Sequence, residues 1–215
     1  MSLLSKEERL TPLDGIAAVV CWAVGFIVLA GPADQPDTDA GALRALQYFK
    51  DEDAAILVGT FVFMIGALFF LWFLGLVRAR LYVAEGGTRR VTGIAFAAGV
   101  ATGVSLLLMG GTQAAGAINN DGLTPSAAQV YLGIGDGFFY AAELSAALFL
   151  LAVGLVVVSR GAFPRWLGWA SFVVAVWLLI PPIGWAALIF AFPLWLVVAS
   201  VILFTSKEVP VRIDL

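Results

Sequence analysis

The most informative absence in this chain is that of histidine. None of the 215 residues is a histidine, which excludes Ser-His-Asp and Cys-His catalysis, zinc sites of the HExxH type and haem held by histidine. Cysteine is almost absent too, since Cys21 is the only one. No disulfide can form within the chain, and a thiolate metal cluster is not expected. Any chemistry must use carboxyls, phenols, hydroxyls, amides or indoles.

Charged residues are also scarce. They make up 13% of the chain, against 61% for hydrophobic residues, whereas about a quarter of a typical soluble domain is charged. The twelve Lys and Arg residues are dispersed and the net charge is -3, so the dense basic surface that nucleic acid requires is missing. The glycine-rich stretches lie inside apolar runs rather than after a strand, so no dinucleotide or phosphate-loop motif is present. We expect no nucleic acid partner, no cofactor and no metal.

Long apolar runs dominate what is there, and crossing the hydrocarbon of a bilayer takes about 20 mostly apolar residues. The sequence therefore predicts an all-α, polytopic membrane helix bundle with about six transmembrane helices, forming a single domain over residues 1–215. The predicted spans are residues 15–31, 54–77, 91–115, 127–158, 166–180 and 183–204. The fourth is longer than the hydrocarbon requires. Pro181 and Pro182 separate the last two and predict a tight turn rather than one kinked helix.

Lys and Arg near helix ends remain on the cytoplasmic side, and this bias predicts the orientation. With both termini in the cytoplasm, ten cations lie on the inner side and only Arg44 and Lys50 lie outside. The ten are Lys6, Arg9, Arg78, Arg80, Arg89, Arg90, Arg160, Arg165, Lys207 and Arg212. The reverse orientation would invert this strong bias. The predicted outer loops are acidic, with Asp34, Asp37, Asp39, Asp51, Glu52, Asp53 and Asp121.

The first outer loop contains a short amphipathic segment, residues 40–50. Leu43, Leu46 and Phe49 recur every three residues in it, which is typical of a helix with one apolar face. We favour an anchor on the outer membrane surface. A lid over a site is the alternative.

Ionisable residues inside a span are the strongest functional signal, because placing one near the bilayer centre costs about 2.5 to 3.5 kcal/mol. Only the fourth span contains them, as Asp136 and Glu143. Seven residues are nearly two helical turns, so both carboxyls lie on one helix face about 10.5 Å apart, with Tyr140 between them. We predict Asp136, Tyr140 and Glu143 as the catalytic residues.

Asp136, Tyr140 and Glu143 form a polar stripe along this helix face, and other polar side chains are predicted near it. Gln129 extends it by another seven residues, while Gln113, Asn119 and Asn120 lie at the predicted outer level of the third span and its loop. Together they predict a polar cavity that opens outward and ends near Glu143. Trp177 and Trp195 lie deep in the last spans, where they either line a pocket for the ligand or contact lipid; lipid contact is the favoured reading.

The two carboxyls admit two interpretations. They can act on a ligand, which is the default reading of intramembrane ionisable residues, or they can hydrogen-bond neighbouring helices and only set the packing. No Lys or Arg lies within a span, and a carboxyl in apolar surroundings favours its neutral form. We expect Glu143 to be protonated near neutral pH and able to act as a general acid or a proton carrier.

Three segments carry a resemblance to a known family: residues 70–81 (FLWFLGLVRARL), residues 84–87 (AEGG) and residues 163–169 (FPRWLGW). They resemble uncharacterised six-helix membrane proteins common in actinobacteria, over about an eighth of the chain. The resemblance implies a bacterial cytoplasmic membrane protein and no particular activity. A looser similarity is to small integral-membrane terpenoid cyclases, which use intramembrane carboxyls to protonate a substrate; it is an analogy without a shared motif.

The leading functional hypothesis is a membrane-embedded isomerase or cyclase acting on a lipophilic small molecule, with Glu143 and Asp136 as proton donor and acceptor and Tyr140 positioning them. A proton-coupled transporter or exporter that uses the same carboxyls is the first alternative. It would need access from both faces, yet residues 146–158 are wholly apolar. A non-catalytic partner subunit is the second alternative. Whether the protein forms a homo-oligomer is left open.

Overall fold

The computed structural model describes residues 11–30, 35–36 and 40–206. This part of the chain contains seven helices and no strand. The helices are α1 (Asp14–Ala30), α2 (Ala42–Asp51), α3 (Asp53–Glu85), α4 (Arg90–Ile118), α5 (Pro125–Arg160), α6 (Arg165–Leu178) and α7 (Gly184–Thr205). A 3-10 turn, Thr11–Leu13, precedes α1. The all-α helix bundle predicted from the sequence is confirmed.

The predicted spans agree with the helices to within a few residues, with one exception. The second span was predicted to end at residue 77, but α3 continues to Glu85, because a helix need not stop where the hydrocarbon ends and Arg and Ala are good helix formers. Among the described residues, five helices are long and apolar enough to cross a membrane: α1 with its preceding turn, α3, α4, α5 and α7. The sixth predicted span, α6, has 14 residues, or about 21 Å, which is shorter than the hydrocarbon is thick.

Close glycine contacts set how α1 lies against α3. Gly25 approaches Gly59, and Trp22 lies over Gly66, so the two helices run antiparallel. Further along, Gly15 lies against Ser200 of α7. The two described chain ends therefore lie at the same end of the bundle.

We name the two ends of the bundle by their charges. The arginine end contains the described chain ends and Arg78, Arg80, Arg89, Arg90, Arg160 and Arg165. The acidic end contains α2, residues 51–53 and Asp121. Which end faces the cytoplasm stays a prediction from the charge bias. Four cations used in that prediction lie outside the described residues: Lys6, Arg9, Lys207 and Arg212. The same holds for three acidic residues of the first predicted outer loop, Asp34, Asp37 and Asp39.

The predicted turn at Pro181 and Pro182 is confirmed. Residues 179–183, which we name the proline turn, separate α6 from α7. Within α7, a π-helical segment, Ala187–Ala191, lies just before Pro193. Because proline has no N–H to donate and its ring crowds the preceding turn, the wider π turn accommodates it, and the N–H of Phe192 donates to the carbonyl of Ala187.

The main core fills the arginine half of the bundle. At its centre is an aromatic cluster of Trp22, Phe70, Phe149, Phe192 and Trp195, contributed by four helices. Phe192 contacts Phe70 with ring centroids 5.7 Å apart and Phe149 at 6.3 Å. Trp195 donates a 2.9 Å hydrogen bond from Nε1 to Oγ of Ser171 on α6. This cluster ties α1, α3, α5, α6 and α7 together.

A second, smaller core lies at the acidic end, where α2 packs over α3, α4 and α5. It comprises Ala45, Tyr48, Phe49, Ile56, Ala117, Ala128 and Leu132. The Phe49 ring lies directly on Gly116, where there is no room for a Cβ. Phe49 on the predicted apolar face is covered by protein, whereas Leu43 on the same face is 70% exposed. Thus α2 covers part of the acidic end of the bundle, and its role as a surface anchor stays a prediction.

Candidate functional site

Glu143 lies inside the bundle, close to the start of α7. Its side chain is 4% exposed, and Oε1 has no hydrogen-bond partner. A methyl group added to Gly184 would lie 3.3 Å from that oxygen and 2.7 Å from the carbonyl oxygen of Leu178. The carboxyl therefore lies against the first residue of α7, just inside the proline turn. A buried carboxyl oxygen without a protein partner is rare and expensive, which makes this the strongest candidate site in the described chain.

The other two predicted catalytic residues lie closer to the surface. Asp136 is half-buried and has an interaction partner, about 10.5 Å from Glu143 along the α5 axis. Tyr140 is 58% exposed, because its position on the helix is about 60° from that of Glu143, towards the outer face. The structure therefore places Tyr140 on the bundle surface and does not bring it into the interior with Glu143.

Gln113 is brought against α5 as predicted. It is 6% exposed, and its Nε2 would lie 3.9 Å from a Cβ at Gly135, the residue before Asp136. The small size of Gly135 makes this approach possible. Oε1 of Gln113 is buried without a hydrogen-bond partner. Gln129, one further repeat along the stripe, is half-buried and has an interaction partner.

Asn119 and Asn120 are occupied by structural hydrogen bonds near the end of α4. Nδ2 of Asn119 donates to the carbonyl of Ala115 at 2.8 Å. Nδ2 of Asn120 donates to Oδ2 of Asp53 at 3.0 Å, which joins this loop to the start of α3. A solvent-open depression here is lined by Ile118, Asn119, Asp121, Gly122 and Leu123, and by no residue of α5. The two asparagines thus belong to the surface of the acidic end rather than to the surroundings of Glu143.

The two deep tryptophans differ from each other. Trp177 on α6 is half-buried against the main core, and its Nε1 is buried without a partner. Trp195 is 3% exposed and hydrogen-bonded to Ser171. The favoured reading of Trp195 as a lipid contact is therefore wrong: the close approach of α6 and α7 encloses it, and the spacing of residues along one helix cannot reveal that.

Tyr48 adds a buried polar group at the acidic end. Its hydroxyl has no hydrogen-bond partner. Burial, and secondarily the nearby Glu52 carboxylate, raises the pKa of the Tyr48 phenol above its usual range. The phenol is therefore neutral at physiological pH, and α2 brings no extra charge to the buried side of the acidic end.

Two features of the structure, one beside Glu143 and one at the arginine end, escaped the sequence reasoning. Gly184 was taken only as part of the last span, although a glycine directly after an Ile-Pro-Pro-Ile turn is a signal for a close approach at a helix start. Glu85 accepts hydrogen bonds from the backbone N–H groups of Val91 and Thr92, at 2.9 and 2.6 Å, and so satisfies the start of α4. The position of Glu85 in the sequence, at the end of residues 78–85, gave no hint of this role.

Within the described residues, no group of three or more Cys, Asp or Glu side chains is placed to hold a metal ion. Comparisons with protein families, with curated proteins and with solved structures gave no match for this chain. The functional argument consequently rests on the geometry around Glu143.

Proposed function

We propose that this protein is an integral membrane enzyme that performs acid–base chemistry on a lipophilic small molecule, as an isomerase or a cyclase. Glu143 is the group that exchanges a proton with the substrate. The observation that carries the proposal is the burial of its carboxyl with Oε1 unpartnered. A substrate bound there would supply the missing hydrogen-bond partner. The reaction adds a proton to one substrate carbon and removes one from another, so the substrate keeps its formula.

Asp136 suits a supporting role in this scheme. It is half-buried and lies about 10.5 Å towards the acidic end, too far to share one substrate proton with Glu143 directly. It is placed between Glu143 and the water at the acidic end, where it can help to restore the proton. The exposed side chain of Tyr140 does not suit the predicted role of holding the two carboxyls together.

The aromatic cluster favours an enzyme over a proton-coupled transporter. Phe149 lies six residues beyond Glu143 on α5, about 9 Å closer to the arginine end, and Phe192 lies eight residues beyond Gly184 on α7. Both rings are at most 1% exposed and contact each other. Transport would need a polar path through this region, whereas an enzyme needs access from one side only.

Deuterium incorporation tests the proposal without knowledge of the substrate. The purified protein in liposomes is incubated in heavy water with the neutral lipid extract of cells, and the extract is analysed by mass spectrometry. The wild type should add deuterium to a carbon of one lipid species, because the Glu143 proton exchanges with solvent. Glu143→Gln should reduce incorporation at least a hundredfold, whereas Asp121→Asn, which changes an exposed carboxyl at the acidic end, should match the wild type.

Full incorporation by the Glu143→Gln variant would end the enzyme proposal. A substrate-dependent pH change inside proteoliposomes, abolished by Glu143→Gln and present without deuterium incorporation, would instead establish the transporter.

A further inference from the structure

Buried side chains of the described residues lie on both sides of Glu143 along the bundle axis. At the acidic end, α2 closes the space above α4 and α5, and Phe49, which is fully buried, lies on Gly116. At the arginine end, the aromatic cluster fills the interior. Glu143 lies between these two cores. Residues of α2 and the acidic-end core lie towards the end at which the cavity was predicted to open, and that cavity stays a prediction.

The side of the bundle is different. The proline turn consists of Leu179, Ile180, Pro181, Pro182 and Ile183, which are all apolar and all exposed. Backbone outside a helix is normally accompanied by polar residues at a protein surface in water, so this composition is typical of contact with lipid. The turn is also next to the site, because a Cβ added at Gly184, the residue that follows it directly, would lie 3.3 Å from Oε1 of Glu143.

The position of the site along the helices agrees with this. Glu143 is 17 residues from Arg160, or about 25 Å along α5, which lies within the roughly 30 Å of hydrocarbon measured from the arginine end. Leu144, the next residue on α5, is 60% exposed. At this level α5 therefore has an exposed face beside the buried face that contains Glu143.

We propose that Glu143 is reached laterally, from the bilayer, past the proline turn, and that its substrate is a neutral molecule dissolved in the membrane rather than one delivered from water. Gly184 sets the width of the entry, since any side chain there would press on the carboxyl. That the molecule is a substrate rests on the proposed function. The lateral route is argued from the proline turn and Gly184 alone.

Carbodiimides test the route because they react with protonated carboxyls. The carboxyl O–H adds across one C=N bond to form an O-acylisourea, and the acyl group then moves to nitrogen to give a stable N-acylurea, with no group leaving. The full-length protein in liposomes is treated either with dicyclohexylcarbodiimide, which partitions into the bilayer, or with a positively charged water-soluble carbodiimide. Peptide mapping then gives the labelling of Glu143 relative to exposed Asp121.

We expect dicyclohexylcarbodiimide to label Glu143 with a Glu143 to Asp121 ratio at least tenfold higher than the charged reagent gives. Gly184→Ala should slow the labelling several-fold, whereas Gly137→Ala, on an open part of α5, should leave it unchanged. Shortening the exposed neighbour, Ile183→Ala, should accelerate it and provides a second test if Gly184→Ala does not fold. Phe49→Ala at the acidic end should have no effect on labelling by the charged reagent.

Comparable labelling by both reagents, no labelling by either, or faster labelling by the charged reagent in Phe49→Ala would overturn the lateral route. Equal rates of Glu143 labelling by dicyclohexylcarbodiimide in the wild type, Gly184→Ala and Ile183→Ala would also overturn it. Because labelling requires no turnover, lateral labelling combined with unchanged deuterium incorporation in Glu143→Gln would refute the enzyme and leave the route standing.

Discussion

The main core and the acidic-end core differ in the residues that fill them. The main core is centred on the aromatic cluster, whose five rings come from four helices and are joined to α6 through the Trp195 to Ser171 hydrogen bond. The acidic-end core depends on one short helix, α2, whose Phe49 ring lies on Gly116. In the main core one ring contacts several others, so a loss there affects most of the bundle. In the acidic-end core a loss is confined to α2 and its neighbours.

Helix length explains why a second core is needed. The 33 residues of α3 and the 36 residues of α5 are about 50 and 54 Å long, well beyond the roughly 30 Å of hydrocarbon. The ends of α3, α4 and α5 that extend past the proline turn cannot all be covered by lipid. Apolar residues there require a protein cover, which α2 provides.

The largest effect on stability is expected in the main core. Phe192→Ala removes a buried ring that contacts Trp22, Phe70 and Phe149. We expect a loss of about 3 to 5 kcal/mol in the free energy of unfolding, measured by circular dichroism during titration of mixed micelles with a denaturing detergent. Phe190→Ala on the same helix is the control, since Phe190 is 64% exposed. Equal losses for the two variants would contradict the central role of the cluster.

A smaller and more local effect is expected at the acidic end. Gly116→Ala places a Cβ in the space of the Phe49 ring, and such overpacking costs about 1 to 3 kcal/mol. Proteolysis within α2 should become faster while the spanning helices stay intact. Gly111→Ala, on the same helix with open space around it, should behave as the wild type. Loss of the spanning helices in Gly116→Ala would show that the two cores are not independent.

The smallest expected effect again belongs to the main core. Ser171→Ala removes the acceptor of the Trp195 indole and leaves a buried N–H unpaired, at a cost of about 1 to 2 kcal/mol. The same detergent titration measures it. Ser159→Ala is the control, because that hydroxyl is exposed and bonds only within its own helix; its loss should stay within about 0.5 kcal/mol. A Ser171→Ala protein as stable as the control would mean that the indole finds another acceptor.

The sequence predicted the helices well because the signal for each lies within its own segment, as an unbroken apolar run that is bounded by charged residues or prolines. It also located Glu143, because a carboxyl inside such a run is visible without any structure. The predicted stripe was less accurate. Helical spacing places Asp136, Tyr140 and Glu143 on one side, but the neighbouring helices determine how far that side is covered, and Tyr140 falls beyond the covered part.

The number of full-length spans is a similar case. Hydropathy favours six, but α6 stops at Leu178, and the proline turn lies beside Glu143 partway along α5. Composition measures how apolar a segment is and contains no information on where a turn sits relative to a longer neighbouring helix. The role of Trp195 was misjudged for the same reason, since its burial depends on α6 lying across it.

By itself the sequence determined that the chain is a bundle of membrane helices, that no histidine or disulfide chemistry is available to it, and that one helix contains two carboxyls. These properties depend on composition and on contacts a few residues apart. Only the tertiary structure decided that α2 packs over the acidic end, that the aromatic cluster fills the arginine half, and that Gly184 lies close to Glu143. Those contacts join residues far apart in the chain, and they form because apolar and small surfaces pack wherever the helices can approach most closely.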